Sequence, residues 1–181
     1  MAKVVIDALV ARFRDPVNGD GVTGAYLGAG GDDAAFVRRE RLVEVCQFLR
    51  DDPGMQFNMA PYITAVDYLG QEPRFEVVYN LLSTTRNWRI RLRLKVSEQD
   101  PVLPSVCGIW RGANWFERYC FDMYGIRFTE HPDLRRLYMY DEFVGHPLRK
   151  DYPLRGRQPL VTELEVPEEQ FRGPGPARRS E

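Results

Sequence analysis

Reactive side chains are scarce in this 181-residue chain, which has two histidines, His131 and His146, and three cysteines, Cys46, Cys107 and Cys120. The cysteines lie far apart with no Cys-x-x-Cys, so spacing alone supplies neither a four-ligand zinc site nor a cysteine-held iron–sulfur cluster. An odd cysteine count without a secretory segment points to a reducing compartment. The opening MAKVVIDALVARF carries Asp7 inside its apolar stretch and lacks a small-residue cleavage site, unlike a signal peptide. No apolar run approaches the roughly 18 residues of a membrane span, so the chain is expected to be soluble or peripheral. Excess charge of one sign is also missing. Lys and Arg number 25 against 26 Asp and Glu, which excludes bulk attraction to nucleic acid or anionic membrane and leaves room only for a local patch. Residues 17–31 hold six of the fifteen glycines, yet neither Gly-Lys-Ser/Thr nor a strand-to-helix Gly-x-Gly-x-x-Gly accompanies them, so they read as a connection, not a phosphate cradle.

What is present suits one domain, with 44% hydrophobic and 12% aromatic residues. Ile6, Leu9, Val10 and Phe13 recur at helical spacing over 2–14, and Leu42, Val45, Cys46 and Leu49 over 39–51, ended by Asp52-Pro53-Gly54. Period two then takes over in residues 57–68, with an edge or bulge expected at Pro61. Phe75, Val77, Tyr79 and Leu81 share one face of a second strand; Trp88, Ile90, Leu92, Leu94 and Val96 share one face of a third, after the turn 84–87. The opposite face of that third strand is Arg89, Arg91, Arg93 and Lys95. With Arg86 these cations form the one local basic patch, read first as a solvated face that discourages edge pairing. Contact with an acidic protein or with nucleic acid is the rival, the nucleic-acid version weakened because Trp88 points the other way and no interleaved aromatic is seen on the basic face.

Helical spacing returns in residues 113–124, where Phe116, Tyr119, Cys120, Met123 and Tyr124 form a stripe, Arg118 and Asp122 an i,i+4 pair opposite, and Gly125 a stop. Phe121 falls off the stripe beside Glu117. From His131 onward stand seven of the thirteen prolines, predicting an extended segment with short turns that wants another surface, and a disordered end over 167–181. It contains two related phrases, His131-Pro132-Asp133-Leu134-Arg135-Arg136 and Gly145-His146-Pro147-Leu148-Arg149-Lys150-Asp151. Two imidazoles give only two metal ligands, and His with Asp133 or Asp151 lacks a nucleophile or pocket for acid–base catalysis by a free-standing enzyme. Each His-Pro instead sets a backbone corner, after which Arg-Arg or Arg-Lys projects donors suited to carboxylates across an interface.

The run Asn114-Trp115-Phe116-Glu117-Arg118, then Asp122 to Phe128, the HPDLRR phrase, and Gly145 to Tyr152-Pro153 resembles the C-type subunit, also known as the 30 kDa subunit, of respiratory complex I. Thr64 to Tyr68 and Arg74 to Leu82 also look like family segments, and the likeness covers about 40–157. The family usually reads Glu-Arg-Glu where this chain has Glu117-Arg118-Tyr119. The resemblance implies an α+β fold, an antiparallel or mixed sheet of three or more strands with helices on one face and an extended C-terminal tail. The expected division is a domain over 1–128, a docking segment over 129–166 and a disordered tail over 167–181. It implies a non-catalytic subunit on the cytoplasmic side of the bacterial cell membrane, in a complex that passes electrons from NADH through FMN and Fe–S clusters to quinone with proton translocation. No cofactor or metal is expected in this chain. The implied partners are the D-type (49 kDa), B-type and I-type subunits of complex I. The implied interface is His131, Pro132, Asp133, Arg135, Arg136, Gly145, His146, Pro147, Arg149, Lys150, Asp151, Tyr152 and Pro153. Ferredoxin-linked quinone reductases and membrane-bound hydrogenases share the family, so they stay open as alternatives.

Overall fold

The computed structural model describes residues 2–13, 21–26, 33–155 and 158. The predicted disordered end over 167–181 lies outside these residues. In chain order the described elements are helix α1 (Ala2–Phe13), strands β1 (Val22–Tyr26) and β2 (Ala34–Val37), helix α2 (Leu42–Asp51), strands β3 (Met59–Asp67), β4 (Phe75–Ser83), β5 (Trp88–Val96) and β6 (Val102–Pro104), helix α3 (Ala113–Tyr124) and strand β7 (Arg127–Thr129), with a 3-10 turn over Arg39–Arg41 leading into α2. The main sheet has the order β1-β2-β5-β4-β3 and is antiparallel except where β2 runs parallel to β5; β6 and β7 form a separate parallel pair. The fold is therefore α+β with a mixed sheet, as the resemblance implies.

The β4–β5 hairpin pairs Phe75 with Val96 through to Ser83 with Trp88, the register that the two apolar alternations require. β3 is an edge, and its ladder shifts register between Met59 and Tyr62, where Pro61 cannot donate. One sheet face carries Ile63, Ala65, Phe75, Val77, Tyr79, Leu81, Ile90, Leu92 and Leu94. All three helices bury against it through Val5, Leu9, Val45, Cys46, Leu49, Ala113 and Cys120. β1 lies within the stretch read only as a connection and β2 follows it in residues given no element, while β6 and β7 are three residues each, too short for alternation to register.

Two readings of α3 change. Phe116, Tyr119 and Tyr124 are half-buried, whereas Glu117, Arg118 and Asp122 on the supposed outer side are buried. Arg118 does not pair with Asp122. Its Nε and Nη2 donate to the carbonyls of Arg135 and Arg136 at 3.1 and 3.0 Å, because the segment after His131 folds back over that side of the helix. The surface that this segment wants is, over residues 131–152, the chain's own domain.

A candidate docking surface

Asp122 organises the segment. It is fully buried; its Oδ2 accepts the N–H groups of Leu137, Tyr138 and Met139 at 3.1, 2.7 and 2.9 Å, and its Oδ1 accepts Arg136 Nη1 at 2.8 Å. Burial on its own raises a carboxyl's pKa, but these donors outweigh it and hold Asp122 below the ordinary carboxylate range. Arg136 also donates through Nη2 to the Phe143 carbonyl at 2.9 Å and to that of Gly145 at 3.3 Å.

The second phrase closes on the C-terminus of α3. Gly125 caps the helix at φ 79° and donates to the Phe121 carbonyl at 2.9 Å. A Cβ at Gly125 would come within 2.6 Å of His146 Nε2 and 2.7 Å of Arg149 Nη2, so the position needs glycine for conformation and for space. His146 Nδ1 donates to the Asp122 carbonyl at 2.9 Å, Leu148 N–H to Met123 at 3.1 Å and Arg149 Nε to Tyr124 at 2.6 Å, filling the helix's last carbonyls. Burial, with Arg149 and Arg136 nearby, lowers the pKa of His146 below the ordinary imidazole value. Gly145, at φ 97°, lets Tyr152 pack close, and Tyr152 stacks on Phe143 at 5.9 Å.

A third tie reaches the sheet. Arg74, 3% exposed, forks onto Asp67 through Nε and Nη2 at 2.9 and 2.8 Å and onto Asp151 at 2.8 and 3.0 Å; the Lys150 N–H donates to Asp67 at 2.8 Å. Arg74 and burial act oppositely on Asp67, and the Arg74 hydrogen bonds prevail in lowering its pKa.

The implied interface residues thus divide. Arg136, Arg149 and Asp151 engage groups of this chain, and His131 and His146 hold backbone, while Arg135 pairs only with neighbouring Asp133 and both are exposed. Pro132, Lys150 and Pro153 are also exposed, Pro147 and Tyr152 half-buried. Sequence reasoning missed Asp67, Arg74 and the reach of Asp122. One signal was available: Asp67 keeps the parity of buried Ile63 and Ala65, an acid on an apolar face that demands a partner.

While Arg136 and Arg149 turn inward, several large apolar side chains are exposed: Trp115 at 59%, Tyr138 at 67%, Val144 at 67% and Leu154 at 99%, together with Tyr140 and Leu148. Next to them an open groove of about 490 Å³ runs between β3 and α3, lined by Tyr62, Ile63, Trp115, Phe116, Tyr119 and Tyr138. Tyr119, where the resemblance leads one to expect a second glutamate, meets Tyr124 and Tyr138 edge-on at 6.3 and 6.2 Å.

The basic strand is occupied otherwise. Glu76, 1% exposed, pairs with Arg93 at 2.5 Å and with Lys95 at 3.0 Å across β4–β5. Arg93 also lies over Phe36 at 5.0 Å and Lys95 over Tyr68 at 4.5 Å. Aromatics do stand on this face, contrary to the expectation from β5 alone, because β2 supplies Phe36 and the residue after β3 is Tyr68; they already hold cations. Among the described residues one group can offer three metal ligands together: Cys107, Glu117 and His131, which counting ligands around the histidines did not find.

The family model for the respiratory-chain NADH dehydrogenase 30 kDa subunit matches residues 35–158. The C-type subunit of the NADH-quinone oxidoreductase of Roseiflexus sp. (strain RS-1) is 52% identical over 132 residues, 73% of this chain and 76% of that protein. A C-type subunit of the NADH-quinone oxidoreductase of Rhizobium etli (strain CIAT 652) is 48% identical over 148 residues, 82% of this chain and 75% of that protein. Among solved structures, the trypsin-resistant fragment (1–134) of Nqo5 superposes with a TM-score of 0.62 at 31% identity, covering 74% of this chain and 98% of the fragment. A chain of the archaeal membrane-bound sulfane sulfur reductase, a respiratory membrane complex, shares the fold at a TM-score of 0.69 with 17% identity, covering 85% of this chain and 86% of its own. This chain belongs to the 30 kDa subunit family of the respiratory-chain NADH dehydrogenase, the family of the C-type subunits of NADH-quinone oxidoreductase.

Proposed function

We propose that this chain is a scaffold of the hydrophilic arm of an NADH-quinone oxidoreductase, holding neither flavin, Fe–S cluster nor quinone, on the cytoplasmic side of the cell membrane. Its segment 131–155 packs against neighbours of the D, B and I types, the D-type subunit foremost. Electron transfer from NADH through FMN and Fe–S clusters to quinone, with proton translocation, belongs to the complex. The observation that carries this reading is how the segment divides its side chains: Arg136, Arg149 and Asp151 bond to Asp122, Tyr124 and Arg74 of this chain, while Tyr138, Val144 and Leu154, with Trp115 of α3, stay exposed among the described residues. No described helix is long and apolar enough to cross a membrane, so attachment through the complex is the route that fits. The nucleic-acid alternative is disfavoured by the family and by the pairing of Arg93 and Lys95 with Glu76.

The test is co-purification of the other subunits with the tagged full chain. Wild type should bring them down, and a Tyr138→Asp/Val144→Asp variant should not. Equal recovery would remove this surface from the assembly. Oxidation of ferredoxin but not NADH by the purified complex would assign the donor to the ferredoxin-linked relatives instead.

A further inference from the structure

We propose that Cys107, Glu117 and His131 form a site for one divalent transition-metal ion, zinc by preference, which pins the start of the docking segment to α3. The ligand atoms of all three residues lie within 4.8 Å of one another. Cys107 Sγ is 3.2 Å from Glu117 Oε2, and His131 Nε2 is 4.0 Å from the same oxygen. Zinc bonds of about 2.0 to 2.3 Å in tetrahedral geometry put ligand atoms about 3.3 to 3.6 Å apart, so closure needs movements of under about 1 Å.

Charge and placement favour an ion here. The Glu117 and His131 side chains are fully buried and Cys107 is half-buried, which leaves one approach to an otherwise dry site. A thiolate and a carboxylate together cancel a dication, whereas a thiol beside a carboxylate in apolar surroundings leaves the negative charge without a cation. Glu117 is already aimed: its Oε1 accepts the Val106 N–H at 2.8 Å and its Oε2 accepts Ser105 Oγ–H at 2.6 Å. Imidazole and thiolate with one carboxylate suit zinc or cobalt over magnesium or calcium, and the fourth position is left to water.

Binding has a stated cost in hydrogen bonds. His131 Nδ1 accepts the Asp133 N–H at 3.0 Å, with Nε2–H directed at the Asn114 carbonyl at 3.3 Å. Ligation through Nε2 moves the imidazole proton to Nδ1, takes the His131 donor away from the Asn114 carbonyl and releases the Asp133 N–H to solvent, which reaches it because Asp133 is exposed. The thiol proton also leaves. The ion would then join three separate pieces of chain, the turn after β6, helix α3 and the turn after β7, a cross-link between residues 107, 117 and 131.

The experiment uses the full chain stripped with chelator and titrated with Co²⁺. One cobalt per chain should bind, with a thiolate-to-cobalt charge-transfer band and the strong visible bands of four-coordinate cobalt, all displaced by Zn²⁺. Cys107→Ser, whose hydroxyl keeps the bond to Glu117, should melt like wild type without metal, show no charge-transfer band and lose the rise in Tm that Zn²⁺ gives wild type. Cys120→Ala should keep the band, since Cys120 is buried elsewhere in the core. Absence of the band in wild type, or its survival in Cys107→Ser, would overturn the proposal.

Discussion

Replacing Asp122 by alanine removes the acceptor of three backbone N–H groups and one guanidinium at a fully buried position. Each hydrogen bond to a charged acceptor contributes about 1.5 to 3 kcal/mol, but the four are not additive, since a lifted segment gives its N–H groups back to water. Breaking a buried ion pair costs about 3 to 5 kcal/mol, and that range is the expected loss here. A domain of this size has about 5 to 15 kcal/mol in total, so the sheet should stay folded while residues 131–152 come away from α3. Hydrogen exchange read by mass spectrometry or NMR separates the two outcomes. The amides of Leu137, Tyr138 and Met139 should exchange at least about 100-fold faster, since each 1.4 kcal/mol is tenfold, with β4 and β5 little changed. Arg135→Ala, which removes an exposed pair only, should change stability by under about 1 kcal/mol. Unchanged exchange at those three amides in Asp122→Ala would refute the role given to this carboxylate.

Other expectations follow from the same contacts. Arg74→Ala leaves buried Asp67 without its cation and should cost about 3 to 5 kcal/mol in urea unfolding, with Asp67→Asn/Arg74→Ala less damaging than Arg74→Ala alone. Gly125→Ala should lower Tm by several degrees through about 1 to 2 kcal/mol of left-handed strain plus the overlap with His146 and Arg149, a loss that spectroscopic melting will show. The pH dependence has a definite sign. Asp67, Asp122, Asp151 and His146 all have folded pKa values below their unfolded ones, so the unfolded chain binds more protons. Stability from His146 is present above its unfolded value of 6.5 and fades as pH falls below it; that from the aspartates is present above 3.8 and fades as pH falls through their depressed values. Glu117, raised by burial, acts oppositely, its contribution being lost as pH rises through its folded pKa. Urea midpoints from pH 7 down to pH 3 should therefore fall, and Asp122→Asn should flatten the acid end.

Legibility in the sequence follows the range of the interaction. The β4–β5 hairpin and the α2 stripe repeat every two or three to four residues, so local spacing exposes them, as it does the extent of α3 though not its buried side, and Pro61 and Gly125 announce a bulge and a cap by their own covalent structure. The ties that matter to the site span 14 residues from Asp122 to Arg136, 77 from Arg74 to Asp151 and 83 from Asp67 to Lys150, and no periodicity relates such pairs. That distance explains why Asp122 read as the exposed partner of Arg118, although the same helix turn also carries buried Met123. The basic strand misled in the other direction: its partner Glu76 sits directly across the hairpin from Lys95 and could be found once the register was set.

The most direct test of the account is reconstitution of an NADH-quinone oxidoreductase lacking this chain with the purified full chain, followed by assembly titration. The Tyr138→Asp/Val144→Asp variant should stay folded, losing no more than the roughly 0.5 to 1.5 kcal/mol of the Tyr119 edge contact, yet need at least about tenfold more protein for assembly, as loss of a central apolar contact demands. Assembly of the variant at wild-type concentrations would contradict the claim that the outer face of residues 131–155 holds the complex together.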